Sequence, residues 1–176
     1  REPEQHSAGR MNLVRTQDMA GTQAPCIFDA TVPYLREDAF ALFVDRFGLW
    51  WPTEYTFSRD PACHLSIEPM VGGACEEIAP GHPRKVWGTV LSIQRPLFIR
   101  LAWQIGPDRE VIADPAAASR VMVEFRTAAD GTRVELTHTD FLRHGEGAEA
   151  YREALSAPEG WPYCLSRLVQ AAKDRK

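Results

Sequence analysis

No apolar run in this 176-residue chain approaches the ~20 residues that a membrane-spanning helix needs. No Cys-x-x-Cys pair occurs either. Cys26, Cys63, Cys75 and Cys164 lie far apart, which argues for free thiols in a reducing, cytoplasmic setting rather than a disulfide framework. Excess positive charge is also absent: 20 Lys and Arg stand against 24 Asp and Glu, and a net charge of −4 leaves no basic stripe for nucleic acid. The opening residues, REPEQHSAGRMNLVRTQDMAGTQAP, contain no apolar h-region, so no secretory signal is expected. Residues 1–24 read as a flexible extension, with Met11 or Met19 as a candidate true start. Internal repeats and low-complexity tracts are missing as well. What remains is one domain over residues 25–176, with 44% apolar and 25% charged residues overall and enough length for a sizeable core.

Periodicity supplies the elements. The closing stretch 159-EGWPYCLSRLVQAA-172 sets Trp161, Cys164, Leu165, Leu168, Val169 and Ala172 on one helical face. Pro162 fits its first turn, where a missing N–H is harmless. A second helix is expected in 37-EDAFALFVDRFG-48, with Phe40, Phe43, Val44 and Phe47 as its stripe and Gly48 just past its end. Elsewhere the period is two. Strands are expected at 26-CIFDATV-32, 63-CHLSIEP-69, 74-ACEEIA-79, 85-KVWGTVLSI-93, 97-LFIRLAWQI-105, 120-RVMVEFRTA-128 and 132-TRVELTHTD-140. Short turns between neighbours make them antiparallel, and Asp130-Gly131 marks the clearest hairpin. Alternation sends Val121, Val123 and Phe125 to one face, with Val134, Leu136 and His138 beside them. The closing helix is the long apolar stripe left to cover that face, so it lies across the sheet.

The order strand, helix, six strands, helix resembles the helix-grip fold of the START-like (SRPBCC) superfamily, an α+β fold. More narrowly, the chain resembles the C-terminal-domain-like relatives of the activator of the heat-shock-protein-90 ATPase. The matching stretches are 50-WWP-52, 67-IEPMVGG-73, 87-WGTVLSIQRP-96, 101-LAWQI-105, 132-TRVELTHTDF-141, 143-RHGEGA-148 and 159-EGWP-162. The resemblance implies a seven-stranded curved antiparallel sheet wrapped around a long C-terminal helix. It also implies a cavity between the two.

Candidate cavity residues follow from that picture. Trp50, Trp51, Tyr55 and Phe57 crowd a loop, and aromatics beside an apolar pocket suit a planar or acyl ligand. Trp87, Leu101, Trp103, Val123, Phe125, Leu136 and His138 belong to inward strand sets, with Trp87 grouped with Leu91 and Ile93. Trp161, Leu165 and Leu168 face them from the helix. The loop aromatics read equally as plain core, and for Trp87, Trp103 and Trp161 core packing is the favoured alternative. His138, with Asp140 two residues on along the same face, suits either a polar anchor or general acid–base chemistry.

Other constellations carry less. Cys63 and His64 point to opposite strand faces, and Cys75, His82 and His144 lack ligand spacing, so no metal is expected. No cofactor is expected either. The glycines of 143-RHGEGAEA-150 read as a turn, and Glu76 and Glu77 as a solvated strand face. The leading expectation is therefore non-enzymatic binding of a small apolar, aromatic or lipid-like ligand. Two alternatives stay open: a module that modulates a heat-shock chaperone ATPase, and a cyclase- or hydrolase-type enzyme using His138. A chaperone or a second copy of the chain would be the protein partner.

Overall fold

The computed structural model describes residues 24–175. The expected extension over residues 1–24 lies outside them except for Ala24. Strand β1 (Cys26–Val32) leads to helix α1 (Arg36–Val44) and a single helical turn, α2 (Phe47–Trp50). The meander follows: β2 (His64–Ile67), β3 (Ala74–Ile78), β4 (Lys85–Gln94), β5 (Phe98–Trp103), β6 (Ser119–Ala128) and β7 (Gly131–Thr139). Helices α3 (Ala148–Ser156) and α4 (Trp161–Asp174) close the described chain. The sheet order is β1-β7-β6-β5-β4-β3-β2, and every neighbouring pair is antiparallel. This is the helix-grip arrangement, with α4 against the concave face.

The α4 stripe is buried as its spacing predicts: Trp161, Cys164, Leu165, Leu168 and Ala172 all point into the core, with Val169 half-buried. Their counterparts are Ile99, Leu101, Val121, Val123, Phe125, Val134 and Leu136. Burying one such side chain contributes about 1.5–3 kcal/mol, so this interleaved layer dominates stability.

Three expectations need correction. The first helix does not run to Gly48. It stops at Val44, and Gly48 lies inside α2. The break turns Phe47 and Trp50 into the core, and the Trp50 indole N–H donates to the Phe43 carbonyl at 3.3 Å, which the ended helix leaves without its i+4 donor. Next, β4 does not keep one parity. Its register against β3 steps from Cys75–Gly88 to Glu76–Val86, and against β5 from Val90–Leu101 to Ser92–Arg100. Trp87 and Leu91 are the extra residues of two bulges, and each bulge switches the face. The inward set is thus Trp87, Val90 and Ile93, without Leu91. Lastly, Gln104, which alternation with Trp103 and Ile105 sends to the outward, water-facing side, is 2% exposed. The loop 106–118 folds over it, and its amide donates to the Ile112 carbonyl while accepting from the Thr89 hydroxyl.

The outward face is mostly charged. Arg133 of β7 pairs with Asp29 on β1 and with Glu135 on its own strand, and Arg126 pairs with Glu124 along β6. These pairs are solvent-exposed, so each adds at most about 1 kcal/mol.

Candidate functional site

Between the start of α4, helix α3, the end of β5 and the loop after α2 lies an open cleft of about 320 Å³. Trp51, Trp103 and Trp161 form its floor, and Tyr55, Phe57, Ile105, Tyr151 and Leu155 form its walls. Exposed residues at its mouth are Pro107, Arg109, Ala154 and Glu159. At that size it accommodates a ligand at the small end of the range for drug-sized pockets.

The three indoles touch one another. Ring centroids are 5.0 Å apart for Trp103 and Trp161, 5.8 Å for Trp51 and Trp161, and 6.0 Å for Trp51 and Trp103. Trp51 also stacks on Phe47 at 5.1 Å, and Trp87 sits behind Trp103 at 5.7 Å. All five tryptophans of the chain therefore belong to one aromatic network.

Two of the floor indoles spend their N–H groups inside the protein. Trp103 donates to the Tyr151 hydroxyl at 2.9 Å, and that hydroxyl donates onward to the Ile105 carbonyl at 2.7 Å. Burial pushes the Tyr151 phenol above its ordinary pKa, so it stays protonated. Trp161 donates to His138 Nδ1 at 3.0 Å. An indole nitrogen can only donate, so Nδ1 is the acceptor and His138 carries its proton on Nε2. That proton goes to the Ser119 hydroxyl at 2.7 Å, and Ser119 in turn donates to His144 Nε2 at 2.7 Å. Trp103 and Trp161 thus turn π surface, not donors, toward the cleft.

The aromatic loop is held from below. Glu77 is 3% exposed, and its two carboxylate oxygens accept the backbone N–H groups of Phe57 and Ser58, both at 2.9 Å. The reading of Glu76 and Glu77 as a solvated pair is therefore wrong for Glu77. Adjacent strand residues diverge, and the inner one here binds the loop. The Tyr55 hydroxyl adds a second tie, donating to the Glu159 carbonyl at 2.6 Å just before α4.

Gly160 shapes the far wall. A Cβ there would stand 2.2 Å from the Leu155 carbonyl oxygen and 2.7 Å from that of Ala154. Only glycine lets α4 begin so close to the end of α3. Gly160→Ala is expected to cost about 1–3 kcal/mol by overpacking against backbone, measured as a lower urea midpoint with an unchanged slope.

The sequence candidates divide cleanly. Trp51, Trp103 and Trp161 line the cleft. Trp50, Leu101, Val123, Phe125, Leu136, Leu165 and Leu168 lie in packed core, and Trp87 borders only a small void of about 10 Å³ beneath the floor. The open space is at the N-terminal end of α4 rather than along its length, because side chains from α1 and α2 fill the middle. His138 is fully buried behind Trp161 with both ring nitrogens bonded. Asp140 does not share its face. The strand ends at Thr139, and Asp140 adopts a left-handed conformation (φ 61°) at the surface. Sequence reasoning missed Tyr151, Pro107, Arg109 and Glu159. The isolated Tyr151 in a polar segment, and the Gly106–Glu110 turn between Ile105 and Val111, were the available signals. Burial raises the Cys164 thiol to about 12, which keeps this wall residue protonated. Among the described residues no group of three or more His, Cys, Asp or Glu could hold a metal ion, and no helix is long and apolar enough to cross a membrane.

Comparison with known proteins places this geometry. A family model described as "Activator of Hsp90 ATPase homolog 1-like protein" matches residues 34–173. No curated protein matches. Among solved structures, an anthrahydroquino-Gama-pyrone synthase, Txn09, complexed with SUM, is 29% identical with a TM-score of 0.60, covering 85% of this chain and 98% of its own. The protein MLL2253 from Mesorhizobium loti is 16% identical (TM-score 0.57, 87% and 99% covered), and NE0264 from Nitrosomonas europaea is 11% identical (TM-score 0.60, 89% and 97% covered). The last two share the fold alone.

Proposed function

The chain belongs to the Activator of Hsp90 ATPase homolog 1-like family, and from that premise we propose that it binds a small planar aromatic molecule in the cleft at the head of α4. One observation carries the reading. Three mutually touching indoles meet the cleft, and the N–H groups of Trp103 and Trp161 are engaged inside. A flat apolar guest would gain ring contacts of about 0.5–1.5 kcal/mol each beyond burial itself, with burial adding roughly 25 cal/mol per Å². The similarity to an anthrahydroquino-Gama-pyrone synthase supports the same ligand class.

A chaperone-docking role would call for an apolar or single-sign patch on the outer sheet. That surface instead bears charges of both signs paired along and across strands, so the cleft is the better seat of function. His138, closed off behind Trp161, is assigned to holding that indole rather than to acid–base chemistry.

The test is equilibrium dialysis with fluorene, a rigid three-ring hydrocarbon, alongside tryptophan emission. Binding is expected to quench the emission, since all five tryptophans are coupled. Ala154→Trp fills the mouth from an exposed position and is expected to weaken binding at least tenfold without lowering the melting temperature. Saturable binding unaffected by that substitution moves the site elsewhere, and no binding of any planar aromatic removes the reading.

A further inference from the structure

The loop between β5 and β6 opens with a tight turn, Gly106-Pro107-Asp108-Arg109-Glu110. It is closed by Arg109 N–H donating to the Gly106 carbonyl at 2.9 Å and Gly106 N–H donating to the Glu110 carbonyl at 2.8 Å. Asp108 reinforces it by accepting from Glu110 N–H at 3.0 Å. Such a turn needs one residue in the left-handed region, where glycine or asparagine is at ease. Here that residue is Arg109, with φ 64°. A β-carbon in this conformation destabilises the fold, and strain held at a cleft mouth is a sign of function rather than of folding.

The Arg109 side chain is well placed and underused. Its guanidinium lies 5.9 Å from the Tyr55 ring centroid, and Nη2 makes one long contact, 3.4 Å, to the Tyr55 carbonyl. Among the described residues it has no carboxylate within ion-pair distance. Five N–H donors are therefore nearly all free on a group that lines the cleft. Of the other polar side-chain groups of the lining, the Trp103 and Trp161 N–H groups and the Tyr55 and Tyr151 hydroxyls all donate to protein acceptors, which leaves Arg109 as the cationic donor at the mouth. Glu159 is the other charged residue of the cleft lining. It flanks Tyr55, and its carboxylate offers acceptors only and disfavours a fully anionic guest. The mouth thus presents a cationic donor in a field that a neutral oxygen acceptor satisfies best.

Resting on the cleft-binding reading above, we infer that Arg109 is a specificity residue. It selects planar aromatics that carry a ketone- or quinone-type oxygen at the edge reaching the mouth, over hydrocarbons of the same shape. Stacking on the indoles sets the plane, and the guanidinium sets which edge points outward. The bond is charge-assisted yet partly solvated, so its selectivity is about tenfold rather than more.

The experiment compares fluorene with 9-fluorenone, the same three-ring plane with a carbonyl added, on the wild-type chain and on Arg109→Gly. Glycine suits a φ of 64°, so the substitution removes the side chain while relieving the backbone. The wild type is expected to bind 9-fluorenone about tenfold more tightly than fluorene. Arg109→Gly is expected to lose that preference, binding the two probes within twofold of each other, and to melt at the same temperature or higher. A melting temperature that rises while selectivity falls is the signature a purely structural arginine would not give. Equal wild-type affinities for the two probes, or a preference that survives Arg109→Gly, overturns the inference and leaves the cleft reading standing. Failure of both probes to bind removes the cleft reading and this inference with it.

Discussion

His138→Ala is expected to lower stability by about 3–5 kcal/mol, and the wild-type protein to lose stability steadily as pH falls below 6.5. The first effect has two parts. Removing the imidazole opens a cavity between Phe141, stacked at 4.1 Å, and Trp103, a class of change that costs about 2–5 kcal/mol. It also strips the Trp161 N–H of its acceptor and Ser119 of its donor, and an unsatisfied buried donor costs about 1–3 kcal/mol. The second effect follows from protonation. Burial, with His144 adding a smaller repulsion, holds His138 well below its ordinary 6.5, and burial also lowers His144. The folded protein keeps His138 neutral where the unfolded chain takes up a proton, so the unfolded state binds more protons and stability rises with pH. The contribution is complete above pH 6.5 and is lost as pH falls toward the depressed folded value. Its slope is at most about 1.4 kcal/mol per pH unit for one group. Urea unfolding at pH 7.5, 6.5, 5.8 and 5.0 measures it. His138→Gln keeps an acceptor for Trp161 and is expected to flatten the slope, leaving the part due to His144. A wild type equally stable at pH 7.5 and 5.0 contradicts this account.

The periodic parts of the fold were open to sequence reading because each position's burial there depends on its own element. The α4 stripe, the bounds of β1 and the inward side of Val123, Leu136 and His138 all follow from a period of 3.6 or 2. Where a neighbour breaks the period, reading by parity fails. The bulges at Trp87 and Leu91 shift β4 against its neighbours, and nothing in 85-KVWGTVLSI-93 announces them beyond Gly88. There a Cβ would lie 3.2 Å from that of Cys75 and 3.0 Å from the Ala102 carbonyl oxygen. Gln104 is buried by the loop that follows it, through Ile112 eight residues further along the chain. The cleft draws on four separate segments, and its shape depends on how α3 abuts α4 through Gly160. No local pattern encodes that distance. The tryptophans were visible as a set; which of them would face open space was not, because it depends on how far α1 and α2 fill the hollow.

Glu77→Ala is expected to cost about 3–4 kcal/mol and to loosen the cleft as well as the fold. The carboxylate is buried without an ion-pair partner among the described residues, and its charge is met by two backbone N–H groups, those of Phe57 and Ser58. Hydrogen bonds to a charged group contribute about 1.5–3 kcal/mol each, and alanine leaves both donors without their acceptor. Glu77→Gln keeps the shape but offers one oxygen and turns an NH2 toward the other donor, so about half the loss is expected. The carboxylate sits on β3, whereas its partners belong to the loop that carries Tyr55 and Phe57 into the cleft wall. A substitution at β3 should therefore reach a ligand it never touches. Glu77→Gln is expected to weaken fluorene binding several-fold while the urea unfolding slope stays unchanged, and the loop amides of 56–59 should exchange hydrogen faster than those of β5. If Glu77→Gln were as stable as the wild type, the carboxylate would not be the tie that orders the loop. The aromatic wall would then stand on Tyr55 and its bond to the Glu159 carbonyl alone, and Tyr55→Phe would become the substitution that opens it.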